Sequence, residues 1–537
     1  MRNVEGARLA RGVLDAHAMA TIVHASTVLG IEAHPVLVEA DFRKGLPGFD
    51  LVGLPETAVR ESRVRVFAAL EANGYELPNR RLLLNLAPGD LKKRGAAFDL
   101  AIAVTLLAVG GCCAPNRLGY TLLLGELSLG GDLRPVRGVL AQLRSAQDLG
   151  LTAAIIPEGN SVEGSLAEGL EVYVASHLTE VVAFLDGAGP LSLATREGTT
   201  GVHGLAPDLS EVRGQGAARR ALEIAATGDH HLLMSGPPGT GKTMLARRLP
   251  SILPPPTPRA ALDIATIAGA SGLPLPLRGG DVIRPFRAPH HTASMAALIG
   301  GGNPVRPGEV TLAHGGVLFL DELPELRRDA IEALRQILES GEVVVARVGH
   351  RSTMPARALV VGAMNPCPCG HYGDPGRVCR CAPDMIARYG SRVSGPLRDR
   401  FDLSVTVPRV SARELRRRTP SESSAVVRER VVTARERRTA RLEKIEVGAP
   451  LDAGVRPEAT RLLDDAMSRL ALSARAFVKV IRVAWTLADL ADQDYVGPAE
   501  IAEALQYRGE SPSRQDTVIH RATTTSNQTT QEIEEAS

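Results

Sequence analysis

Short apolar runs alternate with apolar positions at helical spacing between residues 20 and 187. The first pattern is typical of strands and the second of helices. The strand-like runs are residues 36–40, 81–86, 120–124 and 153–156. The helix-like stretches are residues 56–73, with apolar Val59, Val64, Val66 and Leu70, and residues 100–109, which are apolar enough for a core helix. This alternation predicts an α/β or α+β domain over residues 20–187.

A second region of alternating elements follows at residues 209–410, and helical spacing dominates after it, from residue 457 to residue 507. The predicted helices of this second region are residues 217–227, 242–249 and a helix that ends at 334–338, and its predicted strands are residues 232–234, 316–320, 342–347 and 358–364. The chain is therefore predicted to be an α/β multidomain protein with a helical region at residues 411–508.

Shifts in composition mark the segments between and around these domains. Residues 188–208 are rich in Gly, Thr, Ser and Pro and are predicted to be a linker. Residues 1–19 precede the regular patterning and are predicted to be a flexible extension. Residues 509–537 are polar and rich in Thr, Ser and Gln, which predicts a disordered tail.

A glycine-rich segment directly follows the apolar run 232–234. The eight residues fit the pattern G-x-x-x-x-G-K-[ST] at every fixed position, and they are Gly236, Pro237, Pro238, Gly239, Thr240, Gly241, Lys242 and Thr243. Glycines let successive backbone N–H groups point at a phosphate, and the following helix adds its N-terminal dipole. Lys242 is predicted to meet the β- and γ-phosphates of ATP, and the Thr243 hydroxyl is predicted to hold Mg²⁺.

Two adjacent carboxylates, Asp321 and Glu322, end the apolar run 317–320. A strand of this kind delivers them to the carboxyl edge of a sheet. With the glycine-rich segment upstream, Asp321 is predicted to bind Mg²⁺ and Glu322 to polarise the attacking water.

Composition limits the possible partners. The net charge is +2, so a nucleic-acid site has to be a local patch, and aromatic residues make up only 3%, which disfavours a groove built mainly on base stacking. The longest apolar run, residues 100–113, is too short to span a bilayer, and residues 1–20 do not resemble a signal peptide. We therefore expect a cytoplasmic protein without a membrane partner.

The chain has six cysteines, which in a cytoplasmic protein indicate metal binding or free thiols. Cys367, Cys369, Cys379 and Cys381 form two close pairs that suit a tetrahedral Zn²⁺, and reduced thiols without a metal are the alternative. The adjacent pair Cys112 and Cys113 is predicted to fill core space.

Several motifs together resemble the ComM/YifB family of bacterial magnesium-chelatase-like AAA+ ATPases over about residues 20–508. They are Gly-Leu-Pro-Gly-Phe at 45–49, Asn-Leu-Ala-Pro-Gly-Asp at 85–90, Arg-Pro-Phe-Arg-Ala-Pro-His-His-Thr-Ala-Ser at 284–294 and Gly-Pro-Leu-Arg-Asp-Arg-Phe-Asp-Leu at 395–403. The resemblance implies a domain similar in fold to the Lon protease domain at 20–187 and an AAA+ parallel-sheet domain at 209–410 with an insert in its second helix and a pre-sensor hairpin. It also implies a C-terminal helical lid at 411–508.

The same resemblance implies roles for individual residues. Asn365 falls at the sensor-1 position, and Arg475 at sensor 2, with Arg482 as its alternative. Arg400 falls at the arginine finger that completes a neighbouring subunit's ATP site, with Arg398 as its alternative, so the chain is expected to form a ring, usually a hexamer. The candidate DNA or pore contacts are Arg284, Arg287, His290, His291, His350 and Arg351.

In function, the resemblance implies a helicase-like DNA motor for branch migration in homologous recombination and natural transformation. The alternative is a chelatase-type motor that remodels protein partners during magnesium insertion into a porphyrin. The nucleophilic serine and the lysine of Lon-type proteolysis fall on Ala97 and Leu140, so no protease activity is expected.

Arginines and glutamates alternate over residues 411–446. A solvated helix with local ion pairs is the simplest interpretation, and a DNA-facing surface is the alternative.

Overall fold

The computed structural model describes residues 21–196, 207–302, 305–347, 350–416, 421–444, 450 and 452–508. The predicted extension at 1–19 and the predicted tail at 509–537 lie outside these ranges. The chain divides into two units. The first contains the described residues up to 196 together with 262–282 and 305–306, and the second contains the rest. Residues 262–282 thus belong to the first unit, although the sequence pattern placed them within the domain at 209–410.

The first unit contains ten strands before residue 196: β1 (Ile22–Leu29), β2 (Glu32–Arg43), β3 (Gly48–Val52), β4 (Arg81–Ala87), β5 (Thr121–Leu123), β6 (Glu126–Leu127), β7 (Leu133–Arg134), β8 (Ala153–Pro157), β9 (Glu171–Ala175) and β10 (Ser192–Leu193). Its helices there are α1 (Thr57–Ala72), α2 (Asp99–Val109), α3 (Val139–Asp148), α4 (Ser161–Gly164) and α5 (Leu178–Leu185). Eight strands form one mixed sheet in the order β10-β9-β8-β5-β1-β2-β4-β3, and β6 pairs with β7.

Helix α2 is the centre of this unit's core. Every residue from Leu100 to Leu107 is buried, as predicted for a core helix. On α1, Val59, Val66 and Leu70 are buried, but Val64 is 67% exposed. Val64 is five positions after Val59, which places the two well apart around a helix of 3.6 residues per turn, so Val64 cannot share the buried face.

Part of the predicted linker is structured. Strand β10 pairs antiparallel with β9 at the edge of the large sheet, with Ser192 opposite Val174 and Leu193 opposite Tyr173. The predicted linker thus contains a short strand that the sequence pattern did not show, because an edge strand of two residues is too short to give a period. Residues 197–206 lie outside the described ranges.

The elements from residue 216 to residue 347 are α6 (Gly216–Gly228), β11 (Leu232–Ser235), α7 (Lys242–Ile252), α8 (Pro258–Ser271), β12 (Leu277–Arg278), β13 (Asp281–Val282), β14 (Phe286–Arg287), α9 (Met295–Ile299), β15 (Gly300–Gly301), β16 (Arg306–Pro307), α10 (Glu309–Leu312), β17 (Val317–Leu320), α11 (Arg328–Ser340) and β18 (Glu342–Arg347). Those from residue 350 onward are β19 (His350–Pro355), β20 (Leu359–Met364), α12 (Pro383–Ser391), α13 (Gly395–Arg398), β21 (Leu403–Thr406), α14 (Ala412–Leu415), α15 (Ser424–Lys444), α16 (Pro457–Leu470), α17 (Ala474–Leu490) and α18 (Pro498–Gln506). Short 3₁₀ helices lie at Leu118–Tyr120, Glu158–Asn160, Leu209–Glu211 and Leu323–Glu325.

A parallel sheet of five strands, in the order β14-β17-β20-β11-β21, organises the second unit and confirms the predicted parallel-sheet domain. Every residue of β17 and β20 is buried, as continuous apolar strands of a covered parallel sheet should be. The hydrophobic core of this sheet continues into the C-terminal helices through residues such as Val427, Val480 and Ile501. Strands β18 and β19 pair antiparallel as a separate hairpin.

The arginines of α15 are held by ion pairs, but with acids of other elements. Arg435 pairs with Asp229, Arg437 with Asp492 and Arg441 with Asp489. Ion pairs are therefore present, but the prediction that they are local was wrong for these three arginines, because their partners lie far away in sequence.

Two adjacent histidines directly before β11, His230 and His231, lie in a cluster of charges. Lys479 Nζ lies 3.0 Å from Asp402 Oδ1, and His230 Nδ1 lies 3.5 Å from Asp402 Oδ2. His231 Nδ1 accepts a hydrogen bond from the Val360 N–H at 3.2 Å. Desolvation lowers the pKa of His231 to about 4, although Asp402 acts in the opposite direction; Lys479, His230 and Arg482 lower it further.

This lowered pKa predicts a loss of stability in weak acid. Unfolded histidine has a pKa near 6.5, so below that pH the unfolded chain takes up a proton that native His231 refuses until about pH 4. The free energy of unfolding should fall by about 2 kcal/mol from this residue between roughly pH 7 and pH 5. His231→Asn retains an acceptor for Val360 and should flatten the pH dependence by that amount. Urea unfolding followed by the fluorescence of Trp485, the only tryptophan, measures it.

The depressed pKa of Asp402 does not interfere in this window, because its stabilisation is lost only as the pH falls below about 4. Burial also lowers the pKa of His230, so the variant keeps part of the slope. An unchanged slope in His231→Asn would contradict the prediction.

Candidate functional site

The glycine-rich segment connects β11 to α7 at the carboxyl edge of the parallel sheet. Gly236 lies so close to the Val407 carbonyl that any side chain there would collide with it. Gly241, the N-cap residue of α7, has φ +90°, a conformation that favours glycine. The Thr240 hydroxyl donates to the Pro237 carbonyl at 2.9 Å, which folds the loop onto itself. These features are those of the predicted phosphate loop, residues 236–243.

The Lys242 ammonium group lies inside this loop. Its Nζ donates to the carbonyls of Gly236 at 2.6 Å and Pro237 at 3.0 Å, and to Asn365 Oδ1 at 3.2 Å. Burial lowers the pKa of Lys242, while the nearby carboxylates of Asp321 and Glu322 act in the opposite direction. The ammonium group is therefore already partly desolvated, so little further desolvation is needed when it binds an anionic oxygen.

Thr243 and Asp321 meet as expected for a magnesium site. The Thr243 hydroxyl donates to Asp321 Oδ2 at 2.9 Å, and Asp321 follows directly after β17. A hydroxyl and a carboxylate are the hard oxygen ligands that Mg²⁺ takes together with phosphate oxygens. The residues present therefore fit ATP with Mg²⁺: Thr243 and Asp321 would hold the ion, and the loop with Lys242 would hold the phosphates.

Glu322 is the most accessible carboxylate of the site, with its side chain 48% exposed. Its backbone has φ +49°, and its N–H donates to Asp321 Oδ1 at 3.0 Å. Its Oε2 lies 3.0 Å from His291 Nδ1. The sequence pattern named His291 only as a pore candidate, and it gave no signal for this contact because the two residues come from separate segments of the chain.

Asn365 directly follows β20, which lies between β11 and β17 in the sheet. It therefore stands between the phosphate loop and the acidic pair, and its contact with Lys242 Nζ fixes it there. Sequence reasoning did not find Gln215, whose side-chain amide donates to the carbonyls of Thr240 at 3.2 Å and Pro408 at 2.7 Å. This amide ties the phosphate loop to the segment after β21.

Three of the four candidate arginines of the later motifs lie in different surroundings, and the fourth, Arg482, is exposed on α17. Arg400 forms an ion pair with Glu339 on α11, and desolvation followed by repulsion from Arg475 and Arg335 lowers its pKa. Arg398 donates to the Gly390 carbonyl at 2.6 Å and is desolvated. Arg475 is exposed in the first turn of α17. The roles implied for Arg400 and Arg475 stay predictions.

The predicted DNA or pore residues divide into two groups. Arg284 donates to the carbonyls of Pro254 and Gly315, and Arg287 makes two bonds of 2.6 Å to Glu309. Both guanidinium groups thus have acceptors within the chain, which weakens the case for them as phosphate contacts.

The remaining candidates are histidines and the tip of the β18–β19 hairpin. His290 is exposed, and its ring lies 4.2 Å from that of His291. His350 and Arg351 pair with Arg347 and Ala346 next to the hairpin turn, and their side chains lie outside the described part of the structure.

The four predicted metal ligands come together between β20 and α12. The Sγ atoms of Cys367, Cys369, Cys379 and Cys381 all lie within 4.8 Å of one another. Three of their separations are 3.4, 3.7 and 3.6 Å. Four sulfurs at about 2.3 Å from a tetrahedral zinc would be about 3.8 Å apart, so the cluster can hold a metal ion such as Zn²⁺.

The other two cysteines lie in the first unit. Cys113 is buried, and burial raises its pKa to about 12, whereas Cys112 is half-buried against the same core. Leu140 is fully buried on α3, and it and Ala97 offer neither an amine nor a nucleophile. Among the described residues, no helix is both long and apolar enough to cross a membrane.

Comparisons with known proteins bear on this arrangement. Residues 208–415 match the family described as magnesium chelatase, subunit ChlI; residues 38–160 match subunit ChlI of Mg-chelatase; and residues 421–508 match its ChlI C-terminal family. The chain is 42% identical over 499 residues to the uncharacterized protein YifB of Escherichia coli, covering 91% of this chain and 97% of that protein.

Two further relatives carry functional names. The chain is 42% identical over 497 residues to the competence protein ComM of Haemophilus influenzae, again covering 91% and 97% of the two chains. A segment of 176 residues is 26% identical to the probable DNA helicase MCM9 of Arabidopsis thaliana, covering 33% of this chain and 22% of that protein.

Proposed function

The chain belongs to the ComM/YifB family of magnesium-chelatase-like proteins, and we propose that it is a cytoplasmic ring motor, a hexamer, that hydrolyses ATP to move branched DNA. The motion we propose is branch migration in homologous recombination and natural transformation. Membership in this AAA+ family implies an ATPase; the DNA substrate and the ring are our proposal.

One observation carries the ATPase part of the proposal. Five residues that follow three neighbouring strands meet at one sheet edge, joined by the bonds from Lys242 to Asn365 and from Thr243 to Asp321. They are Lys242, Thr243, Asp321, Glu322 and Asn365. This is the set of groups that phosphoryl transfer to water needs: phosphate cradle, magnesium ligands, base and orienting amide.

The proposed mechanism follows from these groups. Bound ATP with Mg²⁺ supplies the phosphoryl group that is transferred. Lys242 stabilises negative charge on the phosphates, and Thr243 and Asp321 fix the metal side of the site. Glu322 accepts a proton from the attacking water, whose orientation Asn365 helps to set. Arg400 of a neighbouring subunit would add positive charge where the transition state is most negative.

Two findings support DNA as the substrate. The ComM relative is named as a competence protein and matches this chain over nearly its full length, and a third of the chain is similar to a probable DNA helicase. The β18–β19 hairpin has His350 and Arg351 at the start of its second strand. We propose it, together with His290, as the part that contacts DNA phosphates.

The second candidate is a chelatase-type motor that acts on protein partners. All three matching families carry the description of the magnesium chelatase subunit ChlI. We place it second because the ComM relative, which matches nine-tenths of this chain, is named as a competence protein.

Steady-state ATP hydrolysis with DNA separates the two candidates. We expect a four-way junction to raise the rate about tenfold over the DNA-free rate, and a linear duplex of the same length to raise it less. The junction concentration needed for half stimulation should rise steeply with salt, by roughly 10³-fold from about 50 to about 200 mM if six phosphates are contacted. Lys242→Ala, which removes the ammonium group proposed to contact the phosphates, should not hydrolyse ATP and serves as the negative control.

An ATPase that ignores every DNA at low salt would contradict the DNA motor and favour the chelatase-type motor. ATP-dependent peptide cleavage by the same preparation would contradict our assignment of residues 20–187 as non-proteolytic.

A further inference from the structure

The cysteine loop, residues 366–382, has backbone donors directed at its sulfurs. The Tyr372 N–H lies 3.3 Å from Cys367 Sγ, and the Cys381 N–H lies 3.4 Å from Cys379 Sγ. Such N–H groups stabilise thiolates, which are the form of cysteine that binds a metal. The backbone of the loop is thus arranged around the four sulfurs.

The cysteine loop packs directly on the phosphate loop. A Cβ on Gly370 would lie 2.6 Å from Cδ of Pro238 and 3.9 Å from Cγ of Asn365. Gly370 N–H donates to the Cys367 carbonyl at 2.9 Å. Gly370 is thus held in a turn that begins at Cys367, one of the four candidate metal ligands. The absence of a side chain at Gly370 is what allows the two loops to touch.

A second route joins the same two loops. Asp374 of the cysteine loop pairs with Arg409 Nε at 2.7 Å, and its side chain is fully buried. Arg409 follows Pro408, whose carbonyl accepts from Gln215, and the same amide donates to Thr240 in the phosphate loop. The cysteine loop therefore reaches the phosphate loop from both sides.

The chain also links the cysteines to the catalytic edge. Cys367 is fully buried two residues after Asn365, the residue that contacts Lys242. A ligand fixed on Cys367 restricts the position of Asn365, since only one residue separates them.

From these contacts we infer that a zinc ion held by the four cysteines braces the ATP site, so that loss of the metal weakens ATP binding. The inference rests on one part of the proposed function, that the site binds ATP. It does not depend on the proposal that the chain acts on DNA. Four thiolates around one ion close a loop of fifteen residues, Cys367 to Cys381, that would otherwise have many conformations. Closing this loop would restrict the residues that connect it to the ATP site, which are Pro238, Asn365 and Arg409.

The test compares zinc content with ATP affinity in the full chain. Zinc is measured by elemental analysis after purification without chelator, and ATP affinity by equilibrium binding. Wild type should carry one zinc per chain. Cys379→Ser should lose zinc and bind ATP about tenfold more weakly, the size expected when a supporting shell is lost. Cys112→Ser, a thiol of the first unit, should change neither.

Gly370→Ala tests the contact without removing a ligand, and Gly373→Ala is its matched control. The two glycines have φ of +80° and +74°, so alanine is equally strained at both, but a Cβ at Gly373 meets nothing within 4 Å. Gly370→Ala should retain zinc and bind ATP about tenfold more weakly, while Gly373→Ala should match wild type in both. This pair remains informative if Cys379→Ser fails to fold, which Trp485 fluorescence reveals.

Wild type without zinc after growth in zinc would overturn the inference, as would zinc-free Cys379→Ser that binds ATP as tightly as wild type. Equal ATP affinities of Gly370→Ala and Gly373→Ala would overturn the bracing contact. A chain that binds ATP but ignores DNA would leave the inference standing while the proposed motor fails, and a chain that binds no ATP would overturn both.

Discussion

Glu322→Gln should slow ATP hydrolysis by roughly 10²- to 10⁴-fold, while ATP remains bound. Glutamine has the shape of glutamate but cannot accept the proton of the attacking water. The ligands for Mg²⁺, Thr243 and Asp321, stay as they are, so binding should change little. Single-turnover hydrolysis and the amount of ATP retained after gel filtration measure the two effects separately.

A nearby carboxylate provides the control. Glu325 lies three residues on, is exposed and pairs with Arg392 at 2.8 Å, so Glu325→Gln should leave the rate within about twofold of wild type, as expected for an exposed ion pair. Rapid turnover by Glu322→Gln would remove Glu322 from its role as base.

The contact between Glu322 and His291 has to be separated from the chemistry. His291→Ala removes the pair and keeps the carboxylate, so a rate loss that arises only from the pair would appear in both variants. We expect the large loss in Glu322→Gln alone, because only that change removes the proton acceptor.

The site residues that could be predicted from the sequence are those whose function requires particular residue types at neighbouring positions. The phosphate loop fills eight consecutive positions, and Asp321 and Glu322 follow an apolar strand, so both could be found without any long-range information. The family resemblance then placed Asn365, and the structure puts it in contact with Lys242.

The features that could not be predicted from the sequence are contacts between segments that are distant along the chain. The pair of His291 with Glu322 and the ion pairs of α15 with Asp229, Asp489 and Asp492 join residues that no local period relates. The assignment of residues 262–282 to the first unit is of the same kind, because a local pattern does not show which other elements a segment packs against.

Arg400→Ala should leave ATP affinity near that of wild type and reduce hydrolysis by roughly 10³-fold or more. In the described structure Arg400 pairs with Glu339 of its own chain, whereas Gln215 and Asn365 are among the residues that contact the phosphate loop. An arginine that acts on a neighbour's ATP would show this combination of intact binding and lost turnover. Arg400→Lys, which keeps the charge but not the fork of donors, should recover only part of the rate.

Mixed rings decide whether Arg400 acts on its own subunit or on the next. Arg400→Ala and Glu322→Gln should each be nearly inactive alone. In a ring that contains both, an Arg400→Ala subunit still has its Glu322, and a Glu322→Gln neighbour can supply its Arg400. Random mixing of equal amounts gives this arrangement at about a quarter of the interfaces, so activity should return to roughly that fraction. No recovery would mean that Arg400 works in its own subunit, and full activity of Arg400→Ala alone would transfer the role to Arg398.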